Sequence, residues 1–158
     1  MAIAKTVVKH LKQYNVAHEV VQHPRSESSL ESARTAHIDA NDLAKGVLVK
    51  RSNGTYLLTV LPASYDLDVK AVEAEIGDSV EFASEDELTD IFPDCQKGAV
   101  PAIGPAYGID TIVDTRLKQQ AALYFEAGDH EELIHVSESQ FEKLLKGSRY
   151  HHISREIL

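Results

Sequence analysis

Leu43-Ala44-Lys45-Gly46-Val47-Leu48-Val49, then Lys50-Arg51-Ser52-Asn53-Gly54-Thr55, then Tyr56-Leu57-Leu58-Thr59-Val60-Leu61 reads as two apolar strands around a polar turn. Asn-Gly between apolar runs is the strongest short hairpin signal, because a two-residue type I′ loop needs positive φ at both positions. Such a loop places Lys45 opposite Pro62 at the open end of the ladder and Gly46 opposite Leu61. Lys45 shares one strand face with Val47 and Val49. A cation on so apolar a strand is costly unless something anionic or polar meets it. The expectation is a lysine at the mouth of an apolar cleft. The plain alternative is a strand-end lysine that blocks an edge or snorkels to water.

Outward from the hairpin, the chain reads as one mixed domain spanning residues 1–158. Ile3, Val7, Val8 and Leu11 form a helical stripe within Ile3–Tyr14, and Ala17–Val21 reads as a strand. Ser28-Ser29-Leu30-Glu31 has the spacing of a capping box, predicting a helix over Ser29–Ala36. After a break at Pro62-Ala63-Ser64, a helix over Asp68–Ile76 stops at Gly77, and Val80–Ala83 is a strand. A second capping box at Ser84-Glu85-Asp86-Glu87 opens a helix that Pro93 ends. Asp94–Gly108 is a loop. Strands fit Thr111–Val113, Ala121–Glu126 and Glu132–Val136, and Ser137 caps a last helix to Lys146. Arg149–Ile153 is a final strand. The spacing is not regular βαβ, so the fold class is α+β.

Composition narrows the function. The 158 residues carry a net charge of −9, which argues against DNA and other non-specific nucleic-acid binding but leaves room for a local basic site. Lys5, Lys9 and Lys12, and Lys143, Lys146, Arg149 and Arg155 near the end, read as solvated faces. Cys95, the single cysteine, suits a reducing cytoplasm, and no apolar run is long enough for a membrane. Cys95 has no adjacent histidine to activate it as a nucleophile. His18, His23, His37, His130, His135, His151 and His152 lack metal-ligand spacing, so neither a metal nor a cofactor is expected.

Two further stretches stand out. Gly98-Ala99-Val100-Pro101-Ala102-Ile103-Gly104 constrains its backbone at both glycines and at Pro101, and can turn N–H groups toward a ligand oxygen. It is neither a P-loop nor a dinucleotide fingerprint, and an ordinary turn is the competing reading. Tyr124-Phe125-Glu126-Ala127-Gly128-Asp129-His130 presents Gly128, Asp129 and His130 just past a strand end, where binding groups are often found. There His130 is either a donor or base near neutral pH or a turn residue.

In their order and spacing these segments resemble the YbaK family of aminoacyl-tRNA deacylases, related to the editing domain of bacterial prolyl-tRNA synthetases. The matching stretches are Ala44-Lys45-Gly46-Val47, Val60-Leu61-Pro62-Ala63 and Phe82-Ala83-Ser84-Glu85-Asp86-Glu87-Leu88. Ile91-Phe92-Pro93-Asp94-Cys95-Gln96-Lys97-Gly98-Ala99-Val100-Pro101, Val113-Asp114 and Phe125-Glu126-Ala127-Gly128-Asp129-His130 complete the set. The resemblance covers roughly residues 3–150. It implies a single domain with a bent mixed β-sheet, partly barrel-like and surrounded by helices. It also implies hydrolysis of a mischarged aminoacyl-tRNA, with alanine or serine on tRNA for proline the leading guess, in support of translation fidelity.

Lys45 would be the catalytic cation, and Gly98, Ala99, Pro101, Gly128, Asp129 and His130 the substrate-binding positions. The partners implied are the aminoacyl-tRNA 3′ end and prolyl-tRNA synthetase, in the cytoplasm. The rival is a non-catalytic module of the same fold that binds a tRNA end, a nucleotide or a protein.

Overall fold

A computed structural model describes residues 3–157. Its helices are α1 (Lys5–Gln13), α2 (Ser29–Thr35), α3 (Val69–Ile76), α4 (Glu85–Ile91) and α5 (Glu138–Leu144). The strands are β1 (Glu19–Gln22), β2 (Leu43–Arg51), β3 (Tyr56–Pro62), β4 (Tyr65–Leu67), β5 (Val80–Phe82) and β6 (Asp110–Asp114). They continue as β7 (Ala122–Glu126), β8 (Glu132–Ser137), β9 (Arg149–His151) and β10 (Ser154–Glu156). The main sheet runs β1-β8-β7-β2-β3-β6-β9, with β5 added to the far end of β2 and β4 paired to β10 apart from it. Parallel and antiparallel pairs mix: β2 is antiparallel to β3 and β5 but parallel to β7, and β6 is parallel to both β3 and β9. The fold is α+β, as the sequence predicts, and the sheet does not close into a barrel.

The hairpin has a different register from the predicted one. Lys45 faces Leu61 and Gly46 faces Val60. Arg51 N–H donates to the Thr55 carbonyl at 2.8 Å and Gly54 N–H to the Arg51 carbonyl at 3.0 Å, so Ser52, Asn53 and Gly54 form a three-residue loop. Gly54 takes a positive φ of 87° and Asn53 does not, which is a turn followed by a glycine bulge. The Asn53 side chain accepts from both the amide and the hydroxyl of Thr55, which holds it in that turn. The ladder also runs past Lys45, through Ala44–Pro62 to an Ala63 N–H bond on the Leu43 carbonyl. Lys45 is therefore not at an open end.

Apolar residues bury both faces of this central pair. Ala44, Leu48, Leu58 and Val60 pack toward Phe125, Phe141 and the Val7–Leu11 stripe of α1. Val49, Leu57 and Leu61 pack toward Val72 of α3, Ile112 and Ile153. Two-sided burial explains why Tyr56–Leu61 is a continuous apolar run without alternation. A third cluster joins Leu43 to Ala33 of α2 and Leu133 of β8, fixing α2 over the start of β2.

The caps act largely as their sequences suggest. Ser84 and Glu87 make the full reciprocal box at α4, and Asp68 and Gly77 bracket α3. Ser28 accepts from the Glu31 amide, but the return bond from the Glu31 side chain is not made among the described residues. Two strands escape the sequence reading. β4 follows the Pro62 break, and the predicted tail strand splits into β9 and β10, with β10 reaching back to β4. The 94–108 loop also contains a single 3-10 turn at Gly104–Tyr107.

Candidate active site

Sheet pairing along one edge of β2 is interrupted. Leu43 and Ala44 pair with β7, whereas Val49, Lys50 and Arg51 pair with β5. Between them Lys45, Gly46 and Val47 have no strand neighbour on that side among the described residues, and a cleft opens there. It encloses about 410 Å³ counting the open space at its mouth. One wall is Leu43–Gly46, a second is Gly98 and Val100, a third is Glu126, His130 and Leu133, and the entrance to α2 (Glu27, Ser28, Ser29, Ser32) forms the fourth.

Lys45 is half-buried, and among the described residues its ammonium has neither a hydrogen bond nor an ion pair. Burial pushes its pKa below the usual lysine value, and the carboxylate of Asp66 opposes that shift. A cation in this setting has lost part of its hydration and has no counter-ion in contact among the described residues, so an anionic ligand group gains by approaching it.

On the opposite face of β2, the loop after α4 crosses Gly46. A Cβ at Gly46 would lie 3.1 Å from Val100 Cγ1 and 3.2 Å from Leu58 Cδ1, so any side chain there would press on both neighbours. Gly98 takes a φ of 80°. His130, itself at a φ of 63°, donates from Nε2 to the Lys97 carbonyl at 2.6 Å and so pins the peptide just before Gly98. The turn that carries His130 is organised by Glu126. One carboxylate oxygen of Glu126 accepts from the amides of Gly128, Asp129 and His130 at 2.9, 3.2 and 3.1 Å. That arrangement is a small anion nest filled by the chain's own carboxylate.

The candidate positions from the sequence divide accordingly. Lys45, Gly98 and His130 line the cleft together. Ala99, Pro101, Gly128 and Asp129 do not. Ala99 is buried, and its amide already donates to the Gln96 carbonyl at 2.9 Å, so it is not available to a ligand. Pro101 is buried. Gly128, at a φ of 111°, lies against Ala4 and Cys95, and its carbonyl receives the Gln96 amide. Asp129 is 1% exposed and caps the turn by accepting from the amides of Glu131 and Glu132. The cleft is also more polar than expected, since hydroxyls from α2 and the carboxylates of Glu27 and Glu126 share it with Leu43, Ala44, Val100 and Leu133.

Sequence reasoning missed Glu27, Ser29, Ser32 and Val100. For α2 the available signal was the Ser28 cap, which brings its start to the cleft, and Val100 lay within the Gly98–Gly104 loop already singled out. Cys95 is no nucleophile: burial, together with its Asp94 neighbour, pushes the thiol up to about 12, and it bonds to Tyr107 instead. Among the described residues no cluster of three or more His, Cys, Asp or Glu could hold a metal ion, and no helix is long and apolar enough to cross a membrane.

Solved structures share this fold at low identity. A scaffold protein used for epitope grafting by computational design superposes with a TM-score of 0.84 at 16% identity, covering 99% of each chain. A protein described as a candidate trans-editing enzyme for prolyl-tRNA synthetase gives 0.82 at 17% identity, with 98% of each chain covered. A signal-transduction candidate from Marinobacter aquaeolei VT8 gives 0.77 at 20% identity, with 96% of this chain matching 30% of that one. Comparison with curated protein sequences gave no significant match. The aminoacyl-tRNA editing domain matches residues 23–144, a span holding every wall of the cleft, and the chain therefore belongs to that family of tRNA-editing domains.

Proposed function

We propose that the protein is a deacylase that removes a wrong amino acid, alanine or serine, from tRNA for proline. The observation that carries this reading is the half-buried Lys45 ammonium, without an ion-pair partner among the described residues, in a small cleft. The end of an aminoacyl-tRNA offers matching charges. Its phosphates suit Lys45, and its α-ammonium suits a cleft that also holds Glu27 and Glu126.

An aminoacyl ester is already activated, so hydrolysis asks mainly for positioning and for stabilisation of the developing oxyanion. A water oxygen bonds to the acyl carbon, the bond from that carbon to the ribose oxygen breaks, and the water proton passes to the departing ribose hydroxyl. The neighbouring ribose hydroxyl can relay that proton, so no side-chain base is assigned. Lys45 holds the terminal phosphate or the charge growing near the ester, and the Gly98 amide adds a donor from the facing wall. Catalytic assignment rests on Lys45 alone, while Gly98 and His130 bind or shape the site.

A small cleft also suits the task. A synthetase rejects a smaller amino acid by only about 1–3 kcal/mol per missing methylene, and a second sieve that hydrolyses what fits corrects the error. Prolyl-tRNA synthetase is the natural source of such substrates.

The test is release of alanine, serine and cysteine from separately charged tRNA for proline by the wild type and by Lys45→Ala. Loss of one electrostatic contact to the oxyanion costs about 10²–10³-fold in rate, and a fall of that order with the fold intact is expected. Equal rates for both proteins overturn the assignment of Lys45. Binding of tRNA ends without any hydrolysis points instead to a non-catalytic module.

A further inference from the structure

Gly46 stands where the sheet opens. In the ladder with β3 the hydrogen bonds fall on odd-numbered residues of β2, as at Leu43 with Ala63 and at Arg51 with Thr55, both 2.8 Å. The pairing is unbroken between Ala44 and Lys50. Alternation then turns the N–H and C=O of Ala44, Gly46, Leu48 and Lys50 to the other edge. On that edge Ala44 meets Phe125, the Leu48 carbonyl accepts from Ala83, and Lys50 faces Glu81. Gly46 lines the cleft and has no strand opposite it among the described residues, so the same alternation directs its backbone groups to this open edge.

We infer that the aminoacyl group docks on this edge as a single residue of an antiparallel strand. Its α-amino group donates to the Gly46 carbonyl, and its ester carbonyl oxygen accepts the Gly46 N–H. An α-amino acid ester carries donor and acceptor on one carbon in the spacing of a peptide residue, which is the requirement for adding a strand to a bare edge. The inference rests on the deacylase reading and names how that site recognises its substrate. The Gly46 N–H then points at the oxygen on which charge develops during attack.

The geometry also assigns the sieve. Side chains of a directly opposed antiparallel pair lie on the same face. A side chain at Gly46 would point at Val100 and Leu58, so the substrate's L-side chain meets Val100 there. Lys45, the adjacent residue, projects to the opposite face, which leaves it for the ribose-phosphate end. Val100 is thus the wall that limits the acyl group to one or two heavy atoms, and a D-residue would be turned toward the Lys45 face.

The experiment charges tRNA for proline with L-alanine, D-alanine, L-2-aminobutyrate and propionate. Each hydrolysis rate is divided by the spontaneous rate of the same ester, which removes intrinsic reactivity. Wild type is expected to accelerate L-alanyl release at least about tenfold more than propionyl or D-alanyl release. Val100→Ala is expected to raise 2-aminobutyryl relative to L-alanyl release about tenfold, the scale of one methylene.

Equal acceleration of L-alanyl and propionyl esters, abolished by Lys45→Ala, overturns the strand pairing and leaves the deacylase standing. D-alanyl release as fast as L-alanyl overturns the assignment of the Val100 wall. No Lys45-dependent hydrolysis of any ester overturns the deacylase reading and the pairing with it.

Discussion

Replacing Gly46 by alanine probes the closest contact in the site. The new Cβ would sit 3.1 Å from Val100 Cγ1 and 3.2 Å from Leu58 Cδ1, with the Ala102 Cα at 3.6 Å behind them. Carbon pairs are best separated by about 3.5–4.0 Å, so each neighbour must retreat by a few tenths of an ångström. Leu58 is fully buried and has nowhere to go, whereas Val100 is half-exposed and borders the cleft. Strain should therefore displace Val100 toward the ligand space. Overpacking costs about 1–3 kcal/mol, and the partial freedom of Val100 puts this case near the low end. For a domain of this size about 1 kcal/mol lowers Tm by roughly 2–4 °C.

Activity should fall further than stability, since the displaced methyl occupies the cleft. Adding Val100→Ala removes one of the two close contacts, so the double variant should recover the share of the lost stability that Val100 imposes, while the Leu58 contact remains. The assay is a double-mutant cycle followed by thermal or urea unfolding, read beside deacylation. A coupling of about 1 kcal/mol is the expected outcome. Strictly additive effects would refute the claim that Val100 presses on a side chain at position 46.

Two other outcomes follow from the charges around the cleft. Burial lowers the Lys45 pKa and Asp66 raises it, so the ammonium loses its proton at lower pH than a free lysine, and rate should fall on the alkaline side earlier. Asp66→Asn removes the opposing influence and should move that alkaline limb to still lower pH in a pH–rate profile; an unmoved limb dissociates Lys45 from the chemistry. Cys95→Ser should leave deacylation within about twofold, because a thiol pushed up to about 12 stays protonated and inert. Rapid alkylation of Cys95 in the folded protein at pH 8, with loss of activity, would contradict this.

Local chemistry was legible where it is self-contained. The capping box at Ser84, the stop at Gly77 and the apolar stripe of α1 depend on residues within a few positions of one another, and the helices form there. Lys45 stood out for a similar reason, as a charge on a strand that is otherwise apolar. The turn at Asn53-Gly54 was visible, but its class was not. Whether one or two residues take positive φ is a matter of small energies that the flanking strands decide, and that choice shifted the partner of Lys45 from Pro62 to Leu61.

The sequence by itself determined an acidic α+β chain, its main helices and strands, and three of the residues that share the cleft. Only the tertiary structure decided that β2 leaves β7 and takes up β5, which exposes the backbone of Gly46 beside Lys45. It also decided that Gly128 and Asp129 serve the turn, while Val100 and the start of α2 face the ligand space. The reason is physical. An interruption in a sheet is made by segments some eighty residues apart along the chain, and no local period or spacing records where two distant strands stop pairing.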